Sequence, residues 1–143
     1  MLEAFSTPRH RNRTFILLGI AGVLAVAAAA VGIDDNPPGL LMAYLSATSF
    51  VVAFVHPWKA SQHFRRLLFA SGLGFVVFVP LHLVLENLAT TAGASGLGHG
   101  LIAGAGAAFF VVGTLLCPPA ILVSAVGALV MSRREGHSRP GAA

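Results

Sequence analysis

The stretch NLATTAGASGLGHGLIAGAGAAFFVVGTLLCPPAILVSAVGALVMS, residues 87–132, runs for 46 positions without a charge. As continuous helix it would measure about 69 Å, more than twice the roughly 30 Å hydrocarbon layer of a bilayer. Whether it makes one crossing or two decides the number of spans and the side on which the chain ends. Division at Pro118 and Pro119 leaves Ala120 to Ser132, 13 residues and about 20 Å of helix. That is short for a crossing, and it would put Arg133 and Arg134 on the outer side. One crossing, from about 101 to 131, satisfies both length and charge. An outer loop then extends through Gly100, and the helix is expected to kink or break at Pro118 and Pro119, because proline removes a backbone donor.

Working outward from this stretch, three more apolar runs appear. Phe15 to Ile33 holds 19 uncharged residues, about 28 Å of helix. It exceeds the apolar core of a usual signal peptide, so an uncleaved anchor is expected although Ala27 to Ala30 would suit a peptidase. Asp34, Asp35, Asn36, Pro37, Pro38 and Gly39 form a stop, with Asn36 suited to an N-cap and Pro37 to the first helical position. The second span covers about 39–57, closing on Trp58, an interfacial anchor beside Lys59. The third covers about 67–86, with a kink expected at Pro80.

Composition agrees that the solvent is lipid. Of 143 residues, 56% are apolar and 10% charged, against about 45–50% and about 25% in soluble domains. The fold class expected is an all-α, integral membrane four-helix bundle formed by one domain, residues 1–143. All nine Lys and Arg fall into three clusters: Arg9, Arg11 and Arg13; Lys59, Arg65 and Arg66; Arg133, Arg134 and Arg139. With four spans, all nine lie on one side, as the positive-inside rule requires, and both termini are expected in the cytoplasm. The net charge of +4 is explained by orientation, without a nucleic-acid partner.

Several chemistries are excluded or weakened. Cys117 is the sole cysteine, so an intrachain disulfide, a CxxC pair and a cysteine zinc cage are ruled out. No Asp, Glu, Lys, Arg or His lies centrally in a span, which argues against a simple proton-coupled exporter. His56 and His82 fall at opposite edges, which disfavours a haem held by two histidines. Gly93, Gly96, Gly98 and Gly100 match neither phosphate-loop pattern. No cofactor is expected.

Two constellations remain. His82 and Glu86 are four apart on one helix face, and His99, Asp34 and Asp35 come from the outer loops; imidazoles with carboxylates suit a divalent metal. The simpler account is a His82–Glu86 pair near a helix end. The second constellation is a set of packing residues: Gly100 with Gly104, Ala103 with Ala107, and polar side chains including Tyr44, Thr48, Ser49, Ser71, Thr114 and Ser124. Cys117 is expected to be inert, and the loop around His56, His63, Arg65 and Arg66 can lie on anionic headgroups.

The function expected is that of a non-enzymatic accessory subunit or self-associating scaffold, with the lipid bilayer and a homo-oligomer or larger complex as partners. The alternatives are an outer-face metal-binding protein or enzyme using His82, Glu86 and His99, and an oligomeric channel in which Thr48 matters. Eight Arg to one Lys, with abundant Ala and Gly, suggest a bacterial plasma membrane.

Overall fold

The structure is a computed structural model and describes residues 2–33, 36–91 and 97–137. A short 3-10 turn, Leu2–Phe5, precedes α1 (Pro8–Val31), α2 (Pro37–Val55) and α3 (Ser61–Thr91). The fourth rod is composite: α4 (Leu97–Phe110), a π-helical segment (Val111–Leu116) and α5 (Cys117–His137). Among the described residues, four helices are thus long and apolar enough to cross a membrane, the fourth over Gly98–His137.

Helix ends follow local chemistry. α1 begins seven residues before the expected span because Thr7, in extended conformation, accepts a hydrogen bond from His10 N through its hydroxyl, and Pro8 fills the first turn. Its end is Gly32 at φ 89°, where a side chain would be strained. Gly39, one turn into α2, lies directly on the Gly32 carbonyl, so this hairpin excludes any side chain at 39. Asn36 occupies the N-cap position of α2 as expected, yet its side chain does not cap that helix. Its Nδ2 donates instead to Val31 O at 2.9 Å, serving one of the carbonyls that the end of α1 leaves without a helical donor. α3 runs through Pro80 for 31 residues, about 46 Å, so it tilts in the hydrocarbon layer or projects beyond it.

The expected break at Pro118 and Pro119 takes a different form. The α-helix resumes at Cys117 and continues through both prolines, which lie in its first turn. Irregularity falls in the turn before, where Cys117 N donates to Val112 O, five residues back. Thr114 O is orphaned in both registers: its α-helical donor would be Pro118 and its π-helical donor Pro119. Tyr44 Oη, from α2, donates to that carbonyl at 3.2 Å.

Packing joins α1 to α2, and α3 to the fourth rod. Thr14 Oγ1, fully buried, lies 3.0, 3.1 and 3.2 Å from the carbonyls of His10, Ala4 and Ala53. Ser46 Oγ donates to Ala21 O at 2.7 Å. Between α3 and α5, the buried Phe64 ring lies on Gly127, within a core of Val51, Val55, Ala120 and Ala128. Further along, Gly113 receives Phe78 and Val79, and Gly74 faces Cys117 Sγ.

This core is small, and the large apolar side chains point outward: Phe69 is 75% exposed, Leu101 73% and Val23 71%. An aqueous surface would not tolerate such continuous apolar area; a lipid-facing one consists of it. In lipid, close approach of small residues and cross-helix hydrogen bonds hold helices together.

Candidate functional site

Two contacts orient the bundle. Thr14 ties the start of α1 to the end of α2, while Ser61 N and Oγ donate to Glu135 at 2.9 and 2.7 Å, tying the start of α3 to the end of α5. Arg9, Arg11, Arg13, Lys59, Arg65, Arg66, Arg133 and Arg134 therefore share one end, the basic end. Arg139 lies outside the described residues.

At the opposite end, a cavity of about 490 Å³ opens between α3 and α4, and His82, Glu86 and His99 all line it. His82 is partly buried, 5.1 Å from the Phe110 ring. Its Nδ1 lies 2.9 Å from Gly106 O and its Nε2 3.3 Å from Glu86 Oε2. A carbonyl can only accept, so Nδ1 carries the proton of that bond, and Nε2 then meets a carboxylate oxygen. His82 thus bridges α3 to α4 with one nitrogen and engages Glu86 with the other.

The arrangement brings together the three residues expected from spacing, but around a cavity and not at a point. Among the described residues no group of three His, Cys, Asp or Glu side chains is placed to hold a metal ion. Asp34 and Asp35 lie outside the described residues, as do Gly93 and Gly96. Because α3 continues to Thr91, His82 is not in its last turn, and pairing with Glu86 rather than the helix dipole accounts for its position.

The packing residues divide differently. A Cβ at Gly100 or Gly104 would meet nothing within 4 Å; among the described glycines the close approaches are made by Gly39, Gly74, Gly113 and Gly127. Thr48 Oγ1 donates within its own helix, to Tyr44 O at 2.7 Å, as do Ser71 and Ser124 to carbonyls four residues back. Ser49 is half-buried. An apolar cleft of about 480 Å³ lies among α1, α2 and the π segment, walled by residues such as Gly22, Ala25, Ala47 and Leu115.

Sequence reasoning missed the polar residues that join α1 to α2. Thr14 sits among arginines and Ser46 among apolar neighbours, and neither stands in a motif. It also missed the pairing of His10 with His56, whose ring centroids are 5.5 Å apart; the two lie 46 positions apart, His10 in α1 and His56 just past the end of α2. Comparison of the chain with known protein families, characterised proteins and solved structures finds no match.

Proposed function

We propose that this chain is a non-enzymatic, self-associating scaffold or accessory subunit of a bacterial plasma membrane, crossing four times with both termini in the cytoplasm. The observation that carries this reading is the open face at Gly100 and Gly104. Two glycines four apart on a membrane helix allow a neighbouring backbone to approach closely, and here the chain's own helices leave that approach untaken. Orientation rests on the positive-inside rule applied to the basic end, and the bacterial assignment on arginine-rich, alanine-rich usage.

Gly104→Leu is the test, since a Cβ at this position meets nothing within 4 Å inside the protomer. In mild detergent, native mass spectrometry is expected to find a discrete multi-chain species for the unaltered protein. The variant should associate about tenfold more weakly, corresponding to loss of about 1–2 kcal/mol of helix packing, with no loss of thermal stability in the monomer. A wild-type preparation containing monomer alone, with no co-purifying chain, overturns the proposal.

A further inference from the structure

The basic end holds a second polar cleft, of about 430 Å³, walled by Ser6, His10, Pro57, Lys59, Ala60 and His63. Three parts of the chain build it: the segment entering α1, the link from α2 to α3, and the first turn of α3. Its size falls within the roughly 300–1,000 Å³ typical of small-molecule sites.

Its lining is cationic or neutral. Lys59 brings an ammonium, His10 and His63 bring imidazoles, and Ser6 a hydroxyl; among the described side chains no carboxylate lines the cleft. Glu135, at the same end of the bundle, is engaged by Ser61 N and Oγ. Arg9 and Arg11 flank His10 in sequence, so the field at the cleft favours an anion and opposes a metal cation.

The walls are held in place. Thr14 Oγ1 and His56 Nδ1 both lie against Ala53 O, at 3.2 and 3.0 Å, fixing the end of α2 against α1. Trp58 packs edge-on against Phe64 at 5.3 Å and lies 5.6 Å from the His63 ring. Behind the wall, His10 Nδ1 and His56 Nε2 are buried and have no hydrogen-bond partner among the described residues.

The level of the cleft identifies the anion. Trp58 beside Lys59 marks headgroup depth, where the abundant anions are phospholipid phosphates. Phe5, next to Ser6 in the chain, packs edge-on against Phe15 at 6.1 Å, and both are well exposed, offering apolar surface to an acyl chain. We propose that this cleft binds the phosphate of an anionic phospholipid headgroup, with Lys59 Nζ and the imidazole N–H groups of His10 and His63 as donors.

The experiment uses the full chain in nanodiscs of equal phosphatidylcholine and phosphatidylglycerol, with native mass spectrometry counting the lipids retained on release. One phosphatidylglycerol should be retained in preference to phosphatidylcholine. Lys59→Gln should weaken retention about tenfold, the effect of one charge-assisted hydrogen bond, and His63→Gln should also weaken it. Both side chains are exposed, so folding is not at risk. Arg133→Gln removes the same charge at the same end but outside the cleft, and should leave retention unchanged. Equal losses in Lys59→Gln and Arg133→Gln would show diffuse attraction and overturn the site. Retention without headgroup preference would overturn it as well. Stabilisation of the delipidated protein by inorganic phosphate, with none by phosphatidylglycerol, would assign the cleft to free phosphate and overturn the lipid.

Discussion

Tyr44 matters because of what Pro118 and Pro119 withhold from Thr114. An orphaned carbonyl in hydrocarbon costs several kcal/mol, since no water is there to serve it. The Tyr44 hydroxyl at 3.2 Å supplies the missing donor from another helix. Tyr44→Phe should therefore lower stability in detergent or bicelles by about 1–2 kcal/mol, near the upper end measured for membrane hydrogen bonds. Reversible unfolding with increasing denaturing detergent measures it. The same substitution in a Pro118→Ala, Pro119→Ala background should cost less than half as much, because a backbone N–H restored at either position would then serve Thr114 O from within the helix. An equal cost in both backgrounds would refute the link between the prolines and the tyrosine. Tyr44 and Thr114 stand out in the sequence as polar groups in apolar spans, and the prolines as a source of irregularity. Their connection was not legible: it depends on the relative rotation of two helices whose bonded residues stand 70 positions apart in the chain, which no one-dimensional pattern encodes.

Between elements, the contact of α3 with α5 turns on a single absence. Gly127 has the Phe64 ring where its Cβ would be, and that ring is buried and packed against Trp58. Two effects oppose each other in Gly127→Ala. Helix propensity favours alanine by about 1 kcal/mol, whereas forcing a methyl group into a filled core costs about 1–3 kcal/mol. Overpacking wins, and net destabilisation of up to about 2 kcal/mol is expected in the same unfolding measurement. Phe64→Leu in the Gly127→Ala background should recover most of it, since the smaller side chain vacates the ring position. Stabilisation by Gly127→Ala alone would show that the ring yields freely. Four-residue spacing draws attention to Gly100 and Gly104, yet Gly39, Gly74, Gly113 and Gly127 make the close contacts. Each of those is specified by a bulky partner or a tight turn elsewhere in the chain, so local spacing carries no trace of it. Span number and approximate position were legible, because uncharged length against bilayer thickness is a property of the chain alone. Helix ends were less so: Thr7 and Pro8 extend α1 into the basic segment, and Ser61 starts α3 well before its apolar run.

For the whole molecule, the decisive quantity is the distribution of charge along the bundle axis. Contacts at Thr14 and Ser61 place the start of α1, the α2–α3 link and the end of α5 together, and eight of the nine Lys and Arg belong to the described part of these segments. His82 and Glu86 lie at the other end. This candidate pair was legible in the sequence because four-residue spacing is local to one helix; its bond to Gly106 O was not, being set by the crossing of α3 with α4. The axial separation of charge leads to a prediction about insertion. A Lys or Arg forced to the centre of a span costs about 2.5–3.5 kcal/mol, and clusters within about 20 residues of span ends set orientation. Inverting this bundle would require all three basic clusters to be translocated together. Reporters fused before residue 1, after residue 143 and between Lys59 and Ala60 should all report the cytoplasmic face, whereas a reporter placed within 92–96 should report the opposite one. An even number of crossings gives the agreement of the termini, and charge bias gives its sign, so the two can fail separately. Termini on opposite faces would remove the four-span architecture; termini together on the outer face would leave the bundle intact and refute its orientation.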